Sequence, residues 1–327
     1  MARCGRLDPE AFIQNFKRLL EGYEAIAKEG PPQGFNVGDA KNLSHDELEK
    51  ITNGFCEENF IQHIGYGRLF RGFIDDGEGM REVTVKTWDF IFPGVISYDS
   101  YPRKFRDEIV LLERSEFKSH PCLMKLIGFC FDKKVAVVYD MKFKTPLWNA
   151  VRSAEFGWKE RMKVATDYAL LLITLSRKQF DVWSNGCTDS MIDEEYNIKL
   201  LDFRVHAFPQ TLGVYNSATA SDQASIEKAT VFELGILLLE LITKKERKWK
   251  DGYHPGYYIE KLNRRSIVHE SFEIDADTGT RMTQLIQSCV RPAADERPRI
   301  DTVFDTLVSI GGYSPTVPDS CRRIDSL

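Results

Sequence analysis

Near the amino terminus, apolar side chains recur at helical spacing: Phe12, Phe16, Leu19, Leu20, Tyr23 and Ile26. Asp8 suits the N-cap, Pro9 the first helical position and Glu10 the positive dipole end, while Gly30 can stop the helix. Gly22 costs this amphipathic helix about 1 kcal/mol relative to alanine, so it needs a packing partner, either the main domain or another protein. Pro31-Pro32-Gln33-Gly34 reads as a linker. A second helix starts at Ser44-His45-Asp46-Glu47, a capping box, and carries Leu48 and Ile51 inward before Gly54. Strand-like runs follow at Asn59 to Ile74 and Arg81 to Trp88, with Asp76-Gly77 marking the turn. A helix is expected around Pro102 to Ser115, then strands at Leu123 to Cys130 and Lys134 to Met141. From Thr145 onward the pattern is mainly helical: Trp158 to Ser176, Lys228 to Thr243, Thr280 to Val290 and Ile300 to Ile310. A β-rich first part with one helix, followed by a larger helical part, predicts an α+β protein with two lobes.

Composition narrows the function classes. With 327 residues, 43% hydrophobic and 28% charged, the chain can bury a sizeable core, which excludes wholesale disorder. The net charge of -5 counts against a dedicated nucleic-acid binder, which needs a basic face. The cysteines (Cys4, Cys56, Cys122, Cys130, Cys187, Cys289 and Cys321) form no CxxC and no Cys/His cluster, so reduced thiols and no metal are expected. The longest apolar run, Gly235 to Ile242, is interrupted by Glu240 and reads as a buried helix, not a transmembrane span. Met1-Ala2-Arg3-Cys4-Gly5 lacks an apolar signal core, and Ala2 excludes the N-myristoylation pattern. The expected location is cytoplasmic, with peripheral attachment at the plasma membrane, for instance through Cys4, as an alternative. The basic run Lys244 to Lys250 reads as a solvated face or as a surface for an acidic partner or a membrane.

Several short runs occur in a telling order. Leu43 to Phe55, Val83-Thr-Val-Lys86 and Phe105-Arg-Asp-Glu108 open the series. His120 to Cys130, Val137-Val-Tyr-Asp-Met141, Asp193 to Phe203, Val231 to Thr243, and Cys289 with Glu296-Arg-Pro298 continue the series. Together, from roughly Leu43 to Leu307, they resemble the protein-kinase domain of plant receptor-like and receptor-like cytoplasmic kinases. The resemblance implies a protein-kinase-like two-lobed α+β fold: a small β-rich N-lobe with one key helix, and a larger, mainly helical C-lobe. The implied division is an N-terminal helix at 1–30, a linker at 31–42, a kinase-like domain at 43–312 and a tail at 313–327. Within the domain the N-lobe covers about 43–140 and the C-lobe about 142–312, with Tyr139 at the gatekeeper position.

Phosphoryl transfer in this family is mostly positioning and charge neutralisation. Gly67 to Gly72 aligns with the end of the glycine-loop pattern and leaves Gln62 and Ile64 where the first two glycines belong. Gly65-Tyr66-Gly67 is then either a shifted loop or a tight turn. Counting back from Asp193, Val182-Trp183-Ser184 stands where His-Arg-Asp is expected, so Ser184 replaces the base unless a rearranged loop brings in Asp181. Gly186 replaces the loop's lysine, and Asp189 the magnesium-binding asparagine. The metal-binding motif reads Asp202-Phe203-Arg204; Arg204 either pairs with Asp202 or Asp189 in place of the metal's charge or points into solvent. No Ala-Pro-Glu anchor follows, leaving Arg297 without its expected glutamate, and Thr230 stands where an aspartate usually braces the catalytic loop. What survives is Lys86 and Glu108, which with Asp140, Met141 and Asp202 outline a residual nucleotide site. The expectation is a pseudokinase scaffold, adaptor or decoy. No cofactor is expected, ATP and Mg²⁺ binding being weak at most, and the partners are other signalling proteins: active kinases or intracellular immune receptors. An atypical active Ser/Thr kinase and an ATP-binding switch are the alternatives.

Overall fold

The computed structural model describes residues 40–64, 67–88, 108–109, 111–114, 117–118, 120–131, 134–177, 180–183, 187, 190–201, 204–207, 223–245 and 265–315, with backbone alone for 131, 180–183, 204–207 and 223–226. The amphipathic helix expected before Gly30, the linker up to residue 39 and the tail from residue 316 lie outside the described residues. The chain divides into two compact units, one running to Ser119 and including Leu123–Phe143, the other formed by His120–Cys122 and the chain from Lys144 onward.

The first unit is built on a six-stranded sheet of β1 (Lys41–Asn42), β2 (Phe60–Ile64), β3 (Gly67–Asp75), β4 (Met80–Trp88), β5 (Leu126–Phe131) and β6 (Val135–Tyr139), in the order β1-β5-β6-β4-β3-β2. The β-branched residues Val83, Thr84, Val85 and Thr87 favour the pleated form of β4, and all five residues of β6 are buried. Central strands covered on both faces read as continuous apolar runs, which is why β6 shows no alternation. The lead-in segment covers one face. Its helix α1 (His45–Thr52) begins with the expected capping box: Ser44 Oγ accepts from the Glu47 N–H at 3.3 Å, and Glu47 Oε2 accepts from the Ser44 N–H at 2.7 Å. Leu48 is buried there against Phe70, Val83, Val85, Cys130, Ala136 and Val138. Burying one leucine in this way contributes about 2 kcal/mol. β1 adds to the sheet edge parallel to β5, and Gly128 permits it: a Cβ there would lie 2.7 Å from Leu43 Cδ1.

The second unit is mainly helical. α2 (Leu147–Arg152), α3 (Trp158–Arg177), α4 (Gln223–Thr243), α5 (Ala276–Cys289) and α6 (Ile300–Gly311) are joined by a three-stranded sheet of β7 (Thr145–Pro146), β9 (Ser190–Ile192) and β10 (Ile198–Leu200). β8 (Phe180–Trp183) pairs antiparallel with β11 (Arg204–Ala207). α3 packs on α4 and α6, and α4 on α5, so the apolar run Gly235 to Ile242 lies in the helical core as expected. α5 starts earlier than its periodicity suggests, because Asp275 caps it, accepting from the Thr278 N–H at 2.8 Å. α4 likewise begins at Gln223, ahead of the expected Lys228. No described helix is long and apolar enough to cross a membrane.

Candidate functional site

Lys86 lies on β4 and is joined to Glu108 by a Nζ–Oε2 contact of 2.6 Å, with both side chains only 1% exposed. Residues 108–109 and 111–113 are helical, and Leu111 and Leu112 anchor that turn in the core. The other carboxylate oxygen of Glu108 accepts from the Tyr139 hydroxyl, so Tyr139, expected at the gatekeeper position, holds the acid that holds the lysine. A further partner follows from strand geometry. Residues two apart share a face, and Trp88 sets its ring under the ammonium, with Lys86 Nζ 4.5 Å from the ring centroid. Lys86, Glu108, Tyr139 and Trp88 therefore form one buried cluster within the first unit.

At the chain segment after β6, the predicted nucleotide-binding residues make internal contacts. Asp140 is gripped bidentately by Arg81, whose Nη1 lies 2.9 and 2.8 Å from its two oxygens, and Lys125 stands 3.5 Å away. The Met141 N–H donates to the Tyr139 carbonyl at 2.9 Å, and the Met141 carbonyl accepts from Thr84 Oγ1 at 2.9 Å. The structure brings Lys86, Glu108, Asp140 and Met141 together in one unit; Asp202 lies outside the described residues.

The glycine-loop positions belong to the β2–β3 ladder. Ile64 is buried, 2% exposed, and pairs in register with Gly67; Gln62 pairs with Leu69. Gly67 in turn lies opposite Trp88 on β4, where a Cβ would sit 1.9 Å from the Thr87 carbonyl oxygen. Close approach of two strands is the reason for glycine here.

In the second unit, the turn from β9 to β10 fixes the register from which the catalytic positions are counted. Asp193 Oδ1 accepts from the N–H groups of Glu195 (3.1 Å) and Asn197 (2.8 Å), its Oδ2 lies 3.3 Å from Lys199 Nζ, and Leu200 and Leu201 are fully buried beyond it. Asp181 lies within β8 opposite His206, and Arg204 in β11 opposite Trp183. Ser184, Gly186 and Asp189 lie outside the described residues, as does the Arg204 side chain. Arg297, expected to lack its family glutamate, donates to the carbonyls of Arg291 (2.8 Å), Lys228 (3.0 Å) and Pro292 (3.2 Å), with its guanidinium 4.7 Å from the centre of the Phe232 ring. Among the described residues no group of three or more His, Cys, Asp or Glu side chains could hold a metal ion. Sequence reasoning missed Trp88, whose signal was an aromatic residue two places beyond the key lysine, and Arg81, whose partner Asp140 is 59 residues away.

Comparison with known proteins completes the picture. No family model matches the chain. It is 26% identical over 302 residues to the proline-rich receptor-like protein kinase PERK8 of Arabidopsis thaliana, covering 81% of this chain and 42% of that protein. It is 27% identical over 306 residues to the EPD1-interacting receptor-like cytoplasmic serine/threonine-protein kinase 5D of Gossypium barbadense, covering 83% of this chain and 64% of that one. It is 25% identical over 323 residues to the probable serine/threonine-protein kinase PBL28 of Arabidopsis thaliana, covering 85% and 82%. The chain thus spans less than half the length of the longer receptor-like relatives it matches. Among solved structures, an apo pseudokinase superposes with a TM-score of 0.59 and 19% identity, over 86% of this chain and 100% of that one. The pseudokinase DRIK1 (drought responsive inactive kinase 1), bound to ENMD-2076, gives a TM-score of 0.58 and 19% identity over the same shares.

Proposed function

We propose that this chain, which belongs to the protein-kinase superfamily, of the plant receptor-like and receptor-like cytoplasmic type, is a pseudokinase that acts through binding. Its role is that of a signalling scaffold, adaptor or decoy whose partners, by family likeness, are active kinases or intracellular immune receptors. One observation carries the reading: Ser184 stands at the position of the catalytic aspartate, and the nearby carboxylate that could replace it, Asp181, belongs to a paired strand. A hydroxyl cannot take up the substrate proton at neutral pH, and a positioned base contributes about 10²–10⁴ in rate.

The described nucleotide-site residues fit ATP poorly. Ile64 is buried in a strand where a glycine would approach phosphate, Lys86 is enclosed by Glu108 and Trp88, and the Met141 N–H is already donated to Tyr139. The reading keeps the sequence-based expectation that Arg204, in place of a permissive glycine, pairs with Asp202 or Asp189 and brings the charge a metal would supply, the alternative being a side chain that points into solvent; saturable stabilisation of the fold by Mg²⁺ would count against the pairing. The reading extends to a cytoplasmic location, with attachment at the plasma membrane as the alternative.

The intact Lys86–Glu108 pair favours one second reading, a switch that binds ATP without transferring phosphate. Thermal melting with ATP, with and without Mg²⁺, separates the two, because a ligand at 100 times its Kd stabilises by about 2.7 kcal/mol. The scaffold reading expects no shift; a shift without phosphate transfer establishes the switch instead. Capture from plant extract then identifies the partner.

A further inference from the structure

We propose that Trp88 is a built-in cap on Lys86: its indole face takes the place that an anionic phosphate would hold against the ammonium, and it closes this site from within. The inference deepens the pseudokinase reading and rests on it.

A lysine ammonium is a compact charge with three donors and no acceptor. Here Glu108 Oε2 takes one side at 2.6 Å, and the Trp88 ring takes another at 4.5 Å. An aromatic face attracts a cation through its quadrupole, more strongly once both groups are desolvated, and tryptophan provides the strongest such face. Desolvation is nearly complete, with Lys86 1% and Trp88 3% exposed. The indole is held in place by its strand. Trp88 is in register with Gly67, and the absence of a side chain there lets β3 lie against the Thr87 carbonyl at a distance no Cβ would tolerate. The last glycine of the loop pattern therefore serves the β3–β4 ladder beside the indole. A triphosphate at Lys86 would have to displace a packed aromatic ring. With Ile64 buried in β2, it would gain little glycine-loop backbone in return.

The test is melting of the whole chain with and without saturating ATP and Mg²⁺, in the native protein and in Trp88→Leu. The native chain is expected to show no shift, and Trp88→Leu a rise of about 5 °C or more. The rise should vanish in Lys86→Met/Trp88→Leu and be absent in Phe70→Leu, a buried aromatic loss elsewhere in the same sheet. A folded Trp88→Leu chain with no ATP shift overturns the cap while leaving the pseudokinase reading intact. Equal shifts in native and variant chains overturn it too, and point to the switch. If Trp88→Leu does not fold, Trp88→Phe carries the test: its weaker ring face predicts a smaller rise of the same sign, and no rise refutes the cap. Transfer of labelled phosphate by the native chain would instead overturn the pseudokinase reading itself.

Discussion

Lys86 in the first unit and Arg161 in the second are both buried cations, and they are held in opposite ways. Lys86 is neutralised by a carboxylate, Glu108, which Tyr139 holds in turn. Arg161, fully buried, uses the flat fork of its guanidinium to reach three backbone carbonyls: Phe156 at 2.8 Å, Val151 at 2.7 Å and Leu241. The rings of Phe156 and Phe272 lie 4.8 and 4.6 Å from it. Burial lowers its pKa to about 10, so it stays charged at neutral pH. On the proposed reading the difference separates a tie from a relic. Arg161 joins three segments of chain by a geometry that lysine cannot reproduce, whereas Lys86 and Glu108 form a pair whose family role is to grip a nucleotide. On our reading that pair now serves only the lobe that contains it.

Breaking each arrangement should rank the two. Arg161→Leu strands three buried carbonyls at about 1–3 kcal/mol each, so a loss on the order of 5 kcal/mol is expected in urea denaturation. Glu108→Ala leaves the Lys86 ammonium buried without its carboxylate and should cost about 3–5 kcal/mol, while Lys86→Met with Glu108→Leu should be close to neutral. If the double replacement is as damaging as the single one, the pair is doing more than neutralising itself.

Smaller effects sharpen the same contrast. His120, 2% exposed, accepts from the Cys122 N–H through Nδ1 at 3.2 Å, and its buried Nε2 has no hydrogen-bond partner among the described residues. Burial, helped by the Lys199 charge, lowers its pKa from 6.5 to about 4. The unfolded chain therefore binds this proton first as the pH falls. Stability from this group is full above about pH 6.5 and declines to about pH 4, by about 3 kcal/mol in all. The difference between native and His120→Asn denaturation curves across that window isolates it. Tyr139→Phe removes one hydrogen bond to a buried carboxylate and should cost about 2 kcal/mol by the same measurement.

The contrast also explains what could be read from the sequence. The capping box at Ser44, the β4 strand and the buried run of α4 are local patterns, and each is present where periodicity and capping chemistry place it. Lys86 and Glu108 were legible through a family pattern, because their spacing in the chain is fixed by the fold they share with it. Arg161 was not, since its partner Leu241 lies 80 residues away and nothing in Trp158-Lys-Glu-Arg-Met162 marks a buried cation. The start of α5 was missed for a nearer reason: Asp275 caps the helix ahead of the first strongly apolar turn. Trp88 was read only as the end of a strand, because a ring's contact with a charge two residues back depends on how closely β3 packs, which Gly67 decides.

The central claim is that this fold no longer transfers phosphate. Incubation of the purified native chain with γ-labelled ATP and Mg²⁺, beside Lys86→Ala, tests it most directly. Equal background incorporation in both is the predicted result; label on the native chain that disappears in Lys86→Ala would contradict it.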